Sequence, residues 1–329
     1  MNGRKGAVLL ACFATVVGIG QTGVVGEYIQ EARQQPAAVS TWGPKANDLK
    51  QQDPLYKQIL EKREQSRIQP VDAVLDRVWK AIPGYNGLEI DAEETYKQAK
   101  AARSSSPITY VYRQIPPKVS LEDLGAEPIY RGNPNKPMVG LMINVAWGNE
   151  FIVPMLDILD EEKVKATFFF DGSWLKKNPE LAKEIQKRGH ELENHAYTHP
   201  NMSQLSEYRA SIEISKTQKL LKESLGVENT WFAPPSGDFN QQTVKIAAGL
   251  GLKTVLWTLD TVDWRNPSPE SVVNKISNKV QAGTLILMHP TSSSSKSLQG
   301  MIRVIKKKGL VPGTVSQTLS PERIIPPTS

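Results

Sequence analysis

The sequence predicts an α/β protein built as a distorted (β/α)7-8 barrel, preceded by a small α+β domain and an N-terminal apolar segment. From Pro137 onward, short apolar runs alternate with segments whose apolar residues repeat at helical spacing. This alternation favours parallel strands joined by helical crossovers. The predicted strands are 139–145, 166–170, 191–194, 230–232, 254–257, 285–288 and 310–315, and the predicted helices are 150–161, 179–187, 207–225, 241–249, 269–280 and 298–308.

The ends of these helices support the same architecture. Two of them stop at basic residues followed by glycine, in Lys187-Arg188-Gly189 and Lys307-Lys308-Gly309. Cations interact favourably with the C-terminal end of a helix, and glycine adopts the left-handed conformation that ends many helices. In barrels of this type the chemistry lies at the carboxyl ends of the strands, so functional residues are expected there.

The chain has 329 residues and its composition changes divide it into five parts. Residues 1–26 are predicted to be a signal peptide or membrane anchor, and residues 27–69 a polar stalk with a helix at 54–65. Residues 70–135 form a small α+β module and a proline-rich linker. The barrel domain covers 136–317, and 318–329 is a tail. About 180 residues can bury roughly 70% of their unfolded surface, enough for an independent core.

Four short patterns define the small module. Apolar residues at helical spacing predict a helix over 71–82, which Pro83-Gly84 ends. A strand is predicted at 88–90. A helix is predicted at 91–102, with Asp91 as its N-cap and Glu94 three residues later. Alternating residues predict a further strand at 108–112.

The first 26 residues have the pattern of an export signal. Arg4 and Lys5 precede an uncharged, apolar stretch that continues to Gly26. This length approaches the roughly 20 residues that span a bilayer, so a cleaved signal and a retained anchor both stay open. The single cysteine, Cys12, lies inside this stretch and excludes an internal disulfide. We expect an extracytoplasmic protein, secreted or membrane-anchored at the cell wall.

The charge balance excludes one class of partner. There are 40 basic and 34 acidic side chains, which give a net charge of +6. This mild excess is spread along the chain, without the basic clusters interleaved with aromatics that bind nucleic acid. It suits an anionic wall or membrane surface, and the sequence leaves the oligomeric state open.

Three of the four histidines follow predicted strands. His195 and His199 come after the strand at 191–194, and His289 follows the strand at 285–288. Asp263 lies in the segment after 254–257. Histidines four residues apart share one face if the turn is helical, so His195 and His199 are candidate metal ligands, with a polar loop pair as the alternative.

Several ordered motifs resemble the polysaccharide deacetylase family, also called the NodB-homology or carbohydrate esterase 4 family. They are His195-Ala196-Tyr197-Thr198-His199, Asp260-Thr261-Val262-Asp263-Trp264 and Leu287-Met288-His289, in the family's order and spacing. The segments 164–169 and 189–195 resemble the family's structural surroundings. The similarity covers about 180 residues.

The resemblance implies metal-dependent amide hydrolysis of N-acetylated glycans such as peptidoglycan. In this family a divalent metal, usually zinc, polarises the acetamide and activates a water molecule. By resemblance, His195 and His199 are metal ligands, His289 is the general acid, and Asp263 orients it. Trp264 is implied to form a wall of the pocket.

Two family motifs depart from the pattern. Ala146 stands where the general base is expected, Trp147 where the metal carboxylate is expected, and Ala233 where an arginine normally orients the base. Losing a positioned base costs about 10² to 10⁴ in rate. Activity is therefore expected to be impaired. Zinc binding is expected to be weakened or lost, because two histidines without a carboxylate are a poor divalent site. Glu150 is an alternative ligand or base, although an acid there also suits the start of a helix.

Two functions remain open from the sequence. One is a wall-associated deacetylase with impaired activity, and the other is a non-catalytic glycan-binding or scaffold protein in sporulation or wall maturation. The segment 144–150 also resembles a variant in sporulation-associated family members. Trp147, Tyr197 and Trp264 are candidate glycan contacts, with core packing as the alternative. The serine run 292–295 is predicted to be a solvated loop without a role.

Overall fold

The computed structural model describes residues 50–102 and 107–324. Of the described residues, 50–58 belong to one unit, and 59–102 and 107–324 belong to a second unit that contains the small module and the sheet. The apolar segment 1–26 and most of the predicted stalk lie outside the described residues. Within the described part, no helix has the length and apolar character needed to cross a bilayer.

The small module consists of two antiparallel strand pairs with one helix inserted between the strands of the second pair. In the second pair, the helix begins after an N-cap, Asp91, whose carboxylate accepts a hydrogen bond from the Glu94 amide at 3.1 Å. That contact confirms the predicted helix start. Helix α1 (Pro54–Ser66) precedes the module, and the module's elements are β1 (Val74–Asp76), β2 (Lys80–Ile82), β3 (Gly87–Ile90), α2 (Ala92–Ala101) and β4 (Tyr112–Ile115).

The predicted helix over 71–82 is wrong, since β1 and β2 form a hairpin there. The Asp76 carboxylate accepts hydrogen bonds from the amides of Val78 and Trp79 at 2.8 and 2.7 Å. This side chain fixes a turn that the apolar spacing does not reveal. The strand predicted at 108–112 is displaced toward the C-terminus, where Tyr112–Ile115 pairs with β3.

A curled parallel sheet forms the main body, and it confirms the predicted distorted barrel. Its strands are β5 (Met138–Val145), β6 (Thr167–Phe170), β7 (Glu191–Asn194), β8 (Trp231–Phe232), β9 (Lys253–Thr254), β10 (Leu259–Asp260), β11 (Leu285–Met288) and β12 (Val311–Gly313). Seven strands follow the order β10-β11-β5-β6-β7-β8-β9, and β12 pairs with the first half of β5. The order places the ends of β5, β6 and β7 side by side.

Helices cover the outer face of this sheet, as parallel connections require. Side chains alternate along β5, so Ile143 packs outward against the helices while Met142 packs inward with Phe169 and Ala233. The helices are α3 (Asn149–Glu161), α4 (Gly172–Lys177), α5 (Pro179–Lys187), α6 (Glu207–Leu225), α7 (Gln241–Gly249), α8 (Pro269–Lys279), α9 (Ser292–Lys307) and α10 (Val315–Leu319).

The open side of the sheet is bridged by the segment that follows the small module. The Ile129 amide donates to the Thr254 carbonyl at 3.0 Å, and the Leu256 amide donates to the Ile129 carbonyl at 2.7 Å. Two residues later, Arg131 bridges to Thr284 in the antiparallel sense. These contacts satisfy backbone groups that an open sheet edge leaves unpaired.

Candidate functional site

Four residues directly after β5, β6, β7 and β8 form one row across the sheet. The last paired residues of these strands are in register, and the hydrogen-bond ladder continues one residue further. Ala233 belongs to the interior apolar cluster, so the strand alternation places its row neighbours on the interior face as well. We call this set the interior row: Ala146, Asp171, His195 and Ala233.

His195 is buried and held in one tautomer. Its Nδ1 lies 2.7 Å from the Ala233 carbonyl oxygen. Because a carbonyl can only accept, Nδ1 carries the proton and Nε2 keeps its lone pair. Burial, followed by the nearby His199, lowers the pKa of His195 to about 3. The imidazole is therefore neutral at physiological pH.

His199 lies beside His195, with 5.1 Å between the ring centroids. The turn between them is not helical, because Ala196 and His199 both adopt left-handed backbone conformations, with φ values of 60° and 58°. The loop is held by the Glu213 carboxylate, which accepts hydrogen bonds from the amides of Tyr197 and Thr198 at 3.0 and 2.7 Å. Glu213 was not predicted, since it lies on α6 outside any recognisable motif.

Asp263 and His289 form a buried pair at the carboxyl ends of β10 and β11. The Asp263 carboxylate lies 2.9 Å from His289 Nδ1 and accepts a further hydrogen bond from the His289 amide at 2.6 Å. Burial alone raises the pKa of Asp263, but the hydrogen bonds and charge of His289 outweigh it and hold that pKa below 3.8. The structure thus brings the predicted acid and its predicted orienting residue together.

The serine run contributes to this pair, so its assignment as a solvated loop is wrong. Helix α9 begins at Ser292 instead of 298, and Ser293 and Ser294 are buried. The Ser294 hydroxyl donates to Asp263, and Thr291, the N-cap of α9, lies 3.4 Å from the same carboxylate oxygen. A threonine followed by serines directly after a strand-end histidine was the available signal for a helix start.

Trp147 covers His289. The two rings are stacked with their centroids 5.3 Å apart and an interplanar angle of 14°, while the indole stays 46% exposed. The indole therefore stands over the imidazole that the resemblance identifies as the general acid. Trp264 is also exposed, and the Arg265 guanidinium lies 4.6 Å from its ring centroid. Tyr197 lies under the Lys216 ammonium at 3.6 Å.

Gly148 makes the position of Trp147 possible. Its φ is +80°, and a Cβ added there would lie 1.9 Å from the Pro290 carbonyl oxygen. We predict that Gly148→Ala lowers the free energy of unfolding by about 1–2 kcal/mol or more, since left-handed strain adds to this collision. Urea unfolding measures the loss, and Gly226→Ala, with φ +66° and no neighbouring atom within 4 Å, isolates the strain alone. Equal losses in the two variants would contradict the close approach to Pro290.

Asp171 is a site residue that the sequence reasoning missed. Its Oδ1 accepts hydrogen bonds from the Ser173 hydroxyl and the Trp174 amide at 2.6 and 2.8 Å, which caps α4. Its Oδ2 is buried without a hydrogen-bond partner. Burial raises the pKa of this carboxyl. The signal was present, because Asp171 directly follows a predicted strand, at the edge where functional residues are expected.

The residues present do not fit the metal that the family resemblance implies. Among residues 50–102 and 107–324, no three His, Cys, Asp or Glu side chains are arranged to hold a metal ion. Ala146 and Trp147 supply no ligand beside His195 and His199. Glu150 is exposed in the first turn of α3 and does not complete such a group. The proposed metal role of the two histidines therefore has no third ligand to support it.

The fold and the arrangement of residues at the strand ends define the class of polysaccharide deacetylase-like proteins. Residues 131–255 match the family model described as polysaccharide deacetylase. The chain is 46% identical over 273 residues to the uncharacterized protein YlxY of Bacillus subtilis. The match covers 83% of this chain and 86% of the relative. The chain belongs to the polysaccharide deacetylase family, carbohydrate esterase family 4, whose members are generally metal-dependent.

Two further comparisons bear on activity. The Bacillus anthracis protein BA3943, described as a pseudoenzyme of this family, has a TM-score of 0.74 and 42% identity and covers 83% of this chain and 97% of its own. A BA3943 mutant with the same TM-score and 41% identity is described as having restored enzymatic activity, and the match covers 83% of this chain and all of the mutant. A Bacillus cereus peptidoglycan-N-acetylglucosamine deacetylase is 33% identical over 54% of this chain and 64% of its own length.

Proposed function

We propose that this protein binds the amino-sugar glycans of peptidoglycan without hydrolysing them. The stacking of Trp147 on His289 carries the proposal, because an aromatic ring lies where the resemblance expects a metal carboxylate. Exposed aromatic faces pack well on sugar rings, and Trp147 and Trp264 are both about half exposed. The similarity to the BA3943 pseudoenzyme supports the same conclusion.

The proposal predicts glycan binding that does not depend on a metal. Calorimetry with N-acetylglucosamine oligomers is expected to give the same affinity with and without EDTA. Trp147→Ala is expected to weaken binding about tenfold, equal to about 1.4 kcal/mol. Tyr112→Ala is the matched control, since Tyr112 is 47% exposed in the small module. Loss of binding in EDTA, or equal effects of both variants, would contradict the proposal.

A second candidate function is weak metal-assisted deacetylation, which the intact Asp263–His289 pair favours. Deacetylation of N-acetylglucosamine oligomers with added zinc or cobalt tests it. In this case wild-type protein should act faster than His195→Ala. Equal rates would exclude deacetylation that depends on His195.

We also propose that the protein works outside the cytoplasm, secreted or anchored in the membrane through residues 1–26. The basic residues Arg4 and Lys5 before the apolar stretch support export, as does the similarity to peptidoglycan deacetylases. A role in sporulation is part of the same proposal and rests on the variant segment 144–150. Fractionation of the producing cells tests the location, and recovery in the cytoplasm would contradict it.

A further inference from the structure

We propose that the interior row selects de-N-acetylated amino sugars, with the ligand's ammonium group bound between the Asp171 carboxylate and the Asn144 side-chain carbonyl. The inference rests on the proposed glycan-binding function and names the form of glycan that the site prefers. It begins from two buried oxygen atoms that no hydrogen-bond donor satisfies.

Asp171 supplies the first of these oxygens. The side chain is 2% exposed, and capping of α4 occupies only Oδ1. Buried polar atoms in native proteins are normally hydrogen-bonded, so an unpaired carboxylate oxygen calls for a ligand. Burial of a charged carboxylate is costly unless a cation accompanies it. The missing partner is therefore expected to be a cationic donor.

Asn144 supplies the second oxygen. It is 2% exposed, and its Oδ1 is also buried without a partner. Asn144 precedes Ala146 by two residues on β5, so strand alternation places both on the interior face. The register pairs its neighbour Ile143 with Met288 on one side and with Phe168 on the other. Asn144 therefore lies between the strands that lead to His289 and to Asp171.

The rest of the interior row strengthens the preference for a cation. Ala146 and Ala233 have no polar side chain, and the Nδ1 proton of His195 is already donated to the Ala233 carbonyl. Two buried oxygen acceptors thus lack a hydrogen-bond donor. An N-acetyl group offers one N–H and a carbonyl that itself needs a donor, whereas an ammonium offers three N–H groups and a charge. The arrangement therefore fits the free amine better than the acetamide.

Ala146 lies where the ligand can reach the interior row from solvent. It is the row neighbour of Asp171 and is only half-buried, so the row meets solvent one strand away from the unpaired oxygen. Both acceptor oxygens are closed to solvent in the ligand-free structure. Side chains must shift before the amine reaches them, and we therefore expect slow association.

Calorimetry with two matched oligomers tests the inference on the full chain. The probes are glucosamine pentamer and N-acetylglucosamine pentamer at about pH 6, where an amine of this type is protonated. Wild-type protein is expected to prefer the glucosamine pentamer at least tenfold. The net charge of +6 disfavours nonspecific binding of a cationic oligomer, so overall charge does not explain such a preference.

Asp171→Asn is the decisive variant, because asparagine keeps the helix cap and removes the charge. It is expected to weaken glucosamine pentamer binding about tenfold, and to weaken it more than N-acetylglucosamine pentamer binding. Asp91→Asn is the control, since Asp91 caps α2 in the same manner in the small module. If Asp171→Asn does not fold, wild-type binding of cellopentaose, which carries a hydroxyl in place of the amine, gives the comparison. We expect it to bind at least tenfold more weakly than glucosamine pentamer.

The outcomes separate the inference from the function on which it rests. Equal affinity of wild-type protein for the two amino-sugar oligomers overturns amine selection and leaves glycan binding intact. A preference that survives in Asp171→Asn overturns the assignment to Asp171. Cellopentaose binding as tight as glucosamine pentamer overturns the charge argument. Binding of no oligomer overturns both proposals.

Discussion

Replacing Ala146 and Trp147 together with aspartate is expected to give this protein metal-dependent deacetylase activity. Ala146 lies in the interior row two strands away from the buried imidazole of His195, whose Nε2 keeps a lone pair that can bind a metal. The substitution at 147 also removes the indole that is stacked on His289. A metal and a positioned base each contribute strongly to amide hydrolysis, and the base alone contributes about 10² to 10⁴ in rate.

The activity assay uses N-acetylglucosamine oligomers with cobalt or zinc. We expect the double variant to exceed wild-type protein at least about a hundredfold, while each single variant stays near the wild-type rate. Adding His195→Ala to the double variant should abolish the gain. Failure of a well-folded, metal-loaded double variant to hydrolyse would show that Ala146 and Trp147 are not the positions of the lost groups.

Asp263→Ala is expected to destabilise the fold by about 3–5 kcal/mol, the largest stability effect that we predict. The carboxylate is 1% exposed and joins β11, its following loop and α9 through His289 and Ser294. Its removal leaves several buried donors unpaired. Urea unfolding near neutral pH measures this loss. Ser294→Ala, which removes one of these donors, should cost only about 1 kcal/mol. A loss below that of Ser294→Ala would contradict the role of Asp263.

The same carboxylate predicts a pH dependence. Its pKa in the folded protein lies below the ordinary value of 3.8. The unfolded chain therefore binds the proton more tightly, and acid favours unfolding. The contribution of Asp263 to stability is complete well above pH 3.8, declines below it and is lost once the pH falls through the folded-state pKa. Over that acid range, the free energy of unfolding of Asp263→Ala should fall less steeply with pH than that of the wild-type protein. An equal pH dependence of the two proteins would argue against a contribution from the Asp263 carboxylate.

The barrel was predictable because its local patterns and its packing agree. Predicted and observed bounds coincide for Glu191–Asn194, Pro179–Lys187 and Glu207–Leu225. These segments carry clear periodicity and strong caps, such as the Ser206 hydroxyl that accepts from the Arg209 amide. The hairpin at Val74–Ile82 was not predictable by periodicity, since apolar residues at helical spacing lie exposed on its strands.

The site was predictable wherever a motif marks it. His195, His199, Asp263 and His289 do lie at one end of the sheet, in the loops where parallel strands place them. Glu213 and Ser294 were not predicted, because each acts through a contact with a distant segment of the chain. Such contacts depend on how strands and helices meet in space, which no short motif encodes.

Zinc titration of the purified full-length protein, followed by calorimetry, tests the central claim most directly. If Ala146 and Trp147 have removed the family metal site, the protein will take up no stoichiometric zinc, and His195→Ala will behave like wild type. Tight binding of an equivalent of zinc that disappears in His195→Ala would contradict the account, because a third ligand would then have to complete the site.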